Sequence, residues 1–245
     1  MIDTRGLTPI AIGCKGGSGS RVLRDIITAS PQIYMDQDTS QNSKDSKQCN
    51  AFFDVGDAAG EVRTRELDRF VQSILQQIPA GELARYRFVG WKHPRMIRHI
   101  DLLFEACPHL RFLHLIRDPA AVARGRLWRK GYKGWLQDGK KVDYDKKILR
   151  RWVVANRYAW QKYKDDPRYL LVRYEDIVLK KRDTVQQLFD WLGVSDFDLE
   201  EAVSFIKPSA NALNRGDDVD LTFIRKATHE LGYGYKLEQK VQADR

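Results

Sequence analysis

Hydrophobic and polar positions alternate along this chain in two periods. Thr8-Pro9-Ile10-Ala11-Ile12-Gly13 is an apolar run too short for a helix and stopped by glycine, which predicts a buried strand. Val22, Leu23, Ile26 and Ile27 then recur at helical spacing until Ser30-Pro31. Between Glu66 and Pro79, Leu67, Phe70, Val71, Ile74, Leu75 and Ile78 form the stripe of an amphipathic helix. Arg87 to Trp91, Phe112 to Ile116 and Tyr169 to Tyr174 read as further strands. Helices are expected at Met96 to Phe104, Ala120 to Arg129, Lys146 to Lys164 and Thr184 to Leu192, the last closed by Gly193. The polar stretch Gln37 to Gln48 and the basic, aromatic stretch Trp128 to Asp145 read as loops.

Strands alternating with helices, without repeats, predict a three-layer α/β/α fold around a mostly parallel sheet. No linker divides the chain, so residues 1–245 are expected to form one domain. At 245 residues, with 42% hydrophobic and 31% charged positions, it can bury a core and is neither a disordered tail nor a membrane protein. The segment MIDTRGLTPIAIG lacks a basic region followed by a long apolar run. Cys14, Cys49 and Cys107 are odd in number and show no CxxC spacing. The expectation is therefore a cytoplasmic protein without disulfides or a zinc ribbon.

The formal charge of +9 is uneven. Arg111 to Arg157 holds 14 basic residues against four aspartates, a net +10, so the remainder is −1. Such a block suits a solvated face or an anionic partner. Within it, WRKGYKGWLQDGKK sets Trp128, Tyr132 and Trp135 among Arg129, Lys130, Lys133, Lys140 and Lys141. That composition suits stacking on a sugar or base, and equally an exposed loop.

Gly13-Cys14-Lys15-Gly16-Gly17-Ser18-Gly19-Ser20-Arg21 joins the first strand to the first helix. Glycines there let successive N–H groups and the positive helix end converge on one anion, a P-loop-like arrangement. An ATP-binding loop of the form GxxxxGK[ST] fails in detail, because Ser20-Arg21 follows Gly19 where the lysine is needed. A P-loop kinase or NTPase is the first alternative reading. A nucleic-acid binder is the second; it rests on charge alone and lacks a recognition motif.

Four features in order resemble the sulfotransferases that use 3′-phosphoadenosine-5′-phosphosulfate (PAPS). They are the first strand with its Gly/Ser loop, Trp91-Lys92-His93-Pro94-Arg95, the strand end Leu115-Ile116-Arg117-Asp118-Pro119, and Leu171-Val172-Arg173-Tyr174-Glu175-Asp176 with the helix to Gly193. The resemblance implies sulfuryl transfer from PAPS to a hydroxyl acceptor, without a metal. It implies that Gly16, Gly17, Ser18, Gly19, Ser20 and Arg21 cradle the 5′-phosphosulfate, and that Arg117 binds the 3′-phosphate. Gly125 stands where the family commonly has a serine sharing that phosphate, and Gly17 where many members carry a cation. Lys15 or Arg21 is the catalytic cation. His93, after a strand, is the expected base, and Lys92 a ligand for sulfuryl oxygens or substrate. Arg215 is expected to return to the nucleotide. Glu175 and Asp176 are read as a helix cap and first-turn acids, Arg173 as an internal ion-pair partner, and Asp118 as holding Arg117. His99, His109, His114 and His229 show no metal-ligand spacing.

Overall fold

The computed structural model describes residues 1–36, 60–129, 140–207 and 219–234, without the side chains of 126–129 and 140–145. Its strands are β1 Thr8–Cys14, β2 Ile33–Met35, β3 Phe88–Lys92, β4 Arg111–Ile116 and β5 Tyr169–Arg173, in one sheet of order β2-β3-β1-β4-β5. Every pairing is parallel. The α-helices are α1 Ser20–Ile27, α2 Gly60–Leu75, α3 Ile100–Ala106, α4 Pro119–Arg129, α5 Lys140–Tyr163, α6 Tyr174–Leu179, α7 Lys181–Leu192, α8 Leu199–Ser204 and α9 Arg225–Glu230.

A strand buried on both faces must be apolar at every position, and β1 shows why its sequence is a continuous run. Ile10, Ile12 and Cys14 point to one core, shared with Leu23, Ile26 and Phe189, while Ala11 points to the other, with Phe70, Trp91 and Phe104. Helices α1, α6, α7 and α8 cover the first face; α2, α3 and part of α5 cover the second. A third cluster joins Ile116, Ala120, Trp152, Ile224 and Tyr233 beyond the carboxyl end of β4. The α/β/α expectation agrees with this architecture.

Some boundaries differ. β2 went unread in sequence because Ile33-Tyr34-Met35 is only three residues long. The helix expected from Met96 is instead a 3-10 turn, Pro94–Arg98, followed by α3; His99 separates them with non-helical backbone. The loop expected over Trp128 to Asp145 is partly helical: α4 runs to Arg129 and α5 starts at Lys140. Nothing in Lys140-Lys141-Val142-Asp143 breaks a helix. Gln37 to Gln48, Cys49, the middle of the basic aromatic loop (130–139) and Arg215 lie outside the described residues. No described helix is long and apolar enough to cross a membrane.

Strand order sets where the candidate segments meet. After β1 the chain builds β2 and β3 on one side, then crosses to β4 and β5 on the other. The connections leaving β1 and β4 therefore diverge and open a crevice at the carboxyl ends of these neighbouring strands.

Candidate functional site

The glycine loop leaves β1 at this crevice. Ser18 closes it, its N–H and Oγ both donating to the Lys15 carbonyl at 3.1 and 2.6 Å. Gly17 and Gly19 take positive φ, 104° and 92°, a region that L side chains enter only with strain. A Cβ on Gly19 would also lie 2.6 Å from the Tyr174 ring. Helix α1 then starts at Ser20 with no side-chain cap and no acid in its first turn. Its first N–H groups and positive dipole end are thus directed at the crevice without a built-in anion.

Arg117 follows β4 on the other side of the crevice. It is 9% exposed, donates from Nη1 to the Gly17 carbonyl at 3.3 Å, and lies 4.4 Å over the Tyr174 ring. The strand end expected to bind the 3′-phosphate therefore meets the loop expected to bind the 5′-phosphosulfate. Asp118 Oδ1 accepts the Ala121 N–H at 3.0 Å and caps α4. A Cβ on Gly125, one turn further along α4, would meet nothing within 4 Å.

Lys15 and Lys92 are buried, 7% and 4% exposed, at the ends of neighbouring strands β1 and β3; Arg21 is exposed on α1. Burial first, and the positive charge of Arg24 second, hold the Lys92 amine below the ordinary lysine range. Arg21 adds to that repulsion, whereas Cys14 and Asp36 oppose it. Several of the residues singled out in the sequence are thus gathered at one sheet edge.

His93 is there too, at the end of β3. Its Nδ1 accepts the Arg95 N–H at 3.1 Å, capping the 3-10 turn. In a neutral ring accepting at Nδ1, the proton sits on Nε2. Burial, with Lys92 and Arg95 nearby, pushes the imidazole down to about 3, so the neutral form persists.

The sequence reading missed Asp36. It follows β2 directly, is 2% exposed, and donates its backbone N–H to Gly90 at 2.9 Å. Its carboxylate is within electrostatic reach of Lys92. The available signal was an acid ending an apolar triplet, too short to stand out as a strand.

The basic block is divided in space. Arg111, at the amino end of β4, donates to the Pro167 carbonyl and lies over Trp191. Arg157 pairs with Glu230 at 2.7 Å. Glu175 and Asp176 stand in the first turn of α6, whose cap position is Arg173. Arg173 forms no ion pair among the described residues; its guanidinium lies against Gly232. His114 is a core residue held by Tyr169 Oη at 2.5 Å and Asn156 Oδ1 at 2.9 Å. Among the described residues no group of three or more His, Cys, Asp or Glu could hold a metal ion.

Residues 9–198 match the model of the Sulfotransferase family. An omega-hydroxy-beta-dihydromenaquinone-9 sulfotransferase of Mycobacterium bovis is 26% identical over 143 residues, 56% of this chain and 37% of that protein. The match thus spans little more than a third of the length of that curated relative. A sulfotransferase of Mycobacterium avium superposes with a TM-score of 0.56 at 13% identity, over 92% of this chain and 76% of the other. The sulfotransferase domain of the Synechococcus olefin synthase gives 0.51 at 22% identity, over 89% and 83%. At these identities the structural likeness concerns the fold.

Proposed function

The chain belongs to the sulfotransferase family, and from that premise we propose that it moves a sulfuryl group from PAPS to a hydroxyl acceptor, a carbohydrate or small molecule. Adenosine 3′,5′-bisphosphate is the other product. The observation that carries this reading is the contact between Arg117 and Gly17. One anionic nucleotide end and the reacting group would meet residues that the fold already holds together.

The nucleotide supplies an activated sulfuryl group and a phosphate leaving group. The uncapped start of α1, with the N–H groups of Gly19, Ser20 and Arg21, suits the 5′ end. The positive-φ glycines leave that backbone bare of side chains. Arg117, pre-set by its contacts with Tyr174 and Gly17, suits the 3′-phosphate. Charge grows on the bridging oxygen as the sulfur–oxygen bond breaks, so a cation must stand there. Lys15, Lys92 and Arg21 are the candidates. The two buried lysines are favoured, because a cation with little water around it acts more strongly than exposed Arg21.

The acceptor hydroxyl must lose its proton. Asp36, buried and within electrostatic reach of Lys92, is the base this geometry favours. His93 then serves as an N–H donor on the acceptor side. Arg215 remains a proposed nucleotide contact.

Calorimetry tests the nucleotide reading. Binding of adenosine 3′,5′-bisphosphate without magnesium supports it, followed by a screen of acceptors with labelled PAPS. Magnesium-dependent ATP binding with no bisphosphate affinity would assign a kinase or NTPase instead.

A further inference from the structure

We propose that Glu175 and Tyr233 are positioning residues for Arg117, and that residues 231–233 act as a clasp on it. The inference rests on the reading of Arg117 as the 3′-phosphate ligand. Its basis is a single peptide group. The Arg117 carbonyl accepts from Trp152 Nε1 at 2.9 Å, and the N–H of the same peptide unit, on Asp118, donates to Glu175 Oε1 at 3.0 Å. Both polar ends of the plane beyond the Arg117 Cα are therefore held, which fixes the backbone torsion that aims its side chain.

The two holders meet at Tyr233. Its hydroxyl donates to Glu175 Oε2 at 2.8 Å, and its ring meets Trp152 edge-on with centroids 6.0 Å apart. Tyr233 is 3% exposed, and burial together with the Glu175 carboxylate holds its hydroxyl protonated, as a donor must be. Gly232 takes a positive φ of 80°, which glycine adopts without strain, and lies against the Arg173 guanidinium. The chain thus returns from α9 to the carboxyl edge of the sheet and closes a ring: Arg117–Asp118 peptide, Glu175, Tyr233, Trp152. A first-turn acid that only stabilised α6 would need neither of these two partners.

The test compares affinities for adenosine 3′,5′-bisphosphate and adenosine 5′-phosphate, whose ratio reports the 3′-phosphate contact. Glu175→Ala should lower that ratio about tenfold, with a smaller change for the 5′-phosphate alone. Glu175→Gln should restore it, since its amide still accepts from Asp118 and can donate to the Tyr233 oxygen. Tyr233→Phe keeps the ring and should lose part of the preference; it carries the test if Glu175→Ala does not fold. An unchanged ratio in both variants, with a wild-type preference intact, overturns the clasp alone. Absence of any wild-type preference overturns the role of Arg117 and the clasp with it. Equal weakening of both nucleotides reduces Glu175 to a purely structural residue and overturns the inference.

Discussion

The Arg117 guanidinium and the Tyr174 ring face one another at 4.4 Å, and the same ring occupies the space a methyl group on Gly19 would need. Tyr174 is thus a wedge between the two halves of the site. Its first face orients the arginine and its edge presses on the loop.

Replacing the arginine therefore has a graded outcome. Arg117→Ala should weaken adenosine 3′,5′-bisphosphate binding by about 1.5–3 kcal/mol, the range for a charge-assisted contact. Arg117→Lys should recover only part of this, since an ammonium lacks the planar fork that both stacks and donates. Isothermal calorimetry on the two variants decides it, and wild-type affinity in Arg117→Ala would remove the residue from the site.

Two glycines should respond in opposite directions. Gly19→Ala combines positive φ with the Tyr174 collision and is expected to cost about 1–3 kcal/mol of stability. Gly125→Ala lies in α4 with open space around its Cβ and should gain about 0.5–1 kcal/mol. Denaturant unfolding measures both. Gly125→Ser, which places a hydroxyl where the family commonly has one, should in addition tighten bisphosphate binding.

Asp36→Asn should depress turnover about a hundredfold or more while leaving bisphosphate affinity near that of the wild type, because general-base catalysis is worth roughly that much. His93→Ala should reduce turnover less. If the order were reversed, His93 would have to release its cap to Arg95 during the reaction, and Asp36 would not be the base.

Three histidines make stability fall in mild acid. Burial pushes His93 down to about 3, and His99 and His114 to about 4, each from an ordinary value near 6.5. The unfolded chain binds these protons first, so stability is full above about 6.5 and is lost as pH falls toward 4 and 3. Thermal melts across that window should show a steady decline on acidification and a plateau above neutrality from these groups. A flat profile would contradict their burial as neutral rings.

Lys92 provides a pH readout on binding. Its amine is held below the ordinary range by burial and by Arg24, and a dianionic ligand nearby would raise it again. As pH rises through the lowered range in which the Lys92 amine loses its proton, bisphosphate binding should therefore take up protons. Calorimetry in two buffers of different ionisation heat detects this, and buffer-independent heats would place the anion away from Lys92.

Strand and loop residues that interact with near neighbours were the legible ones. The apolar run of β1, the glycine loop and the Arg117 strand end can be read directly, because a doubly buried strand demands continuous apolar residues and a tight turn demands glycine. Asp36 was hidden behind a three-residue strand that exists only because β3 lies beside it. His93 was visible as a titratable group after a strand, yet its tautomer depends on one backbone N–H two residues on. The net +10 between Arg111 and Arg157 looked like one feature, but β4 carries Arg111 and Arg117 to opposite ends of the sheet.

The sequence by itself determined the alternation of buried strands and amphipathic helices, the glycine-rich turn after β1, and the resemblance to the sulfotransferases. These follow from periods and local backbone rules that need no partner. Only the tertiary structure decided that β1 and β4 are neighbours, that Arg117 reaches Gly17, and that Tyr233 returns to Glu175 across 58 positions of chain. Such contacts depend on strand order and on where a distant segment packs, and no local pattern encodes either.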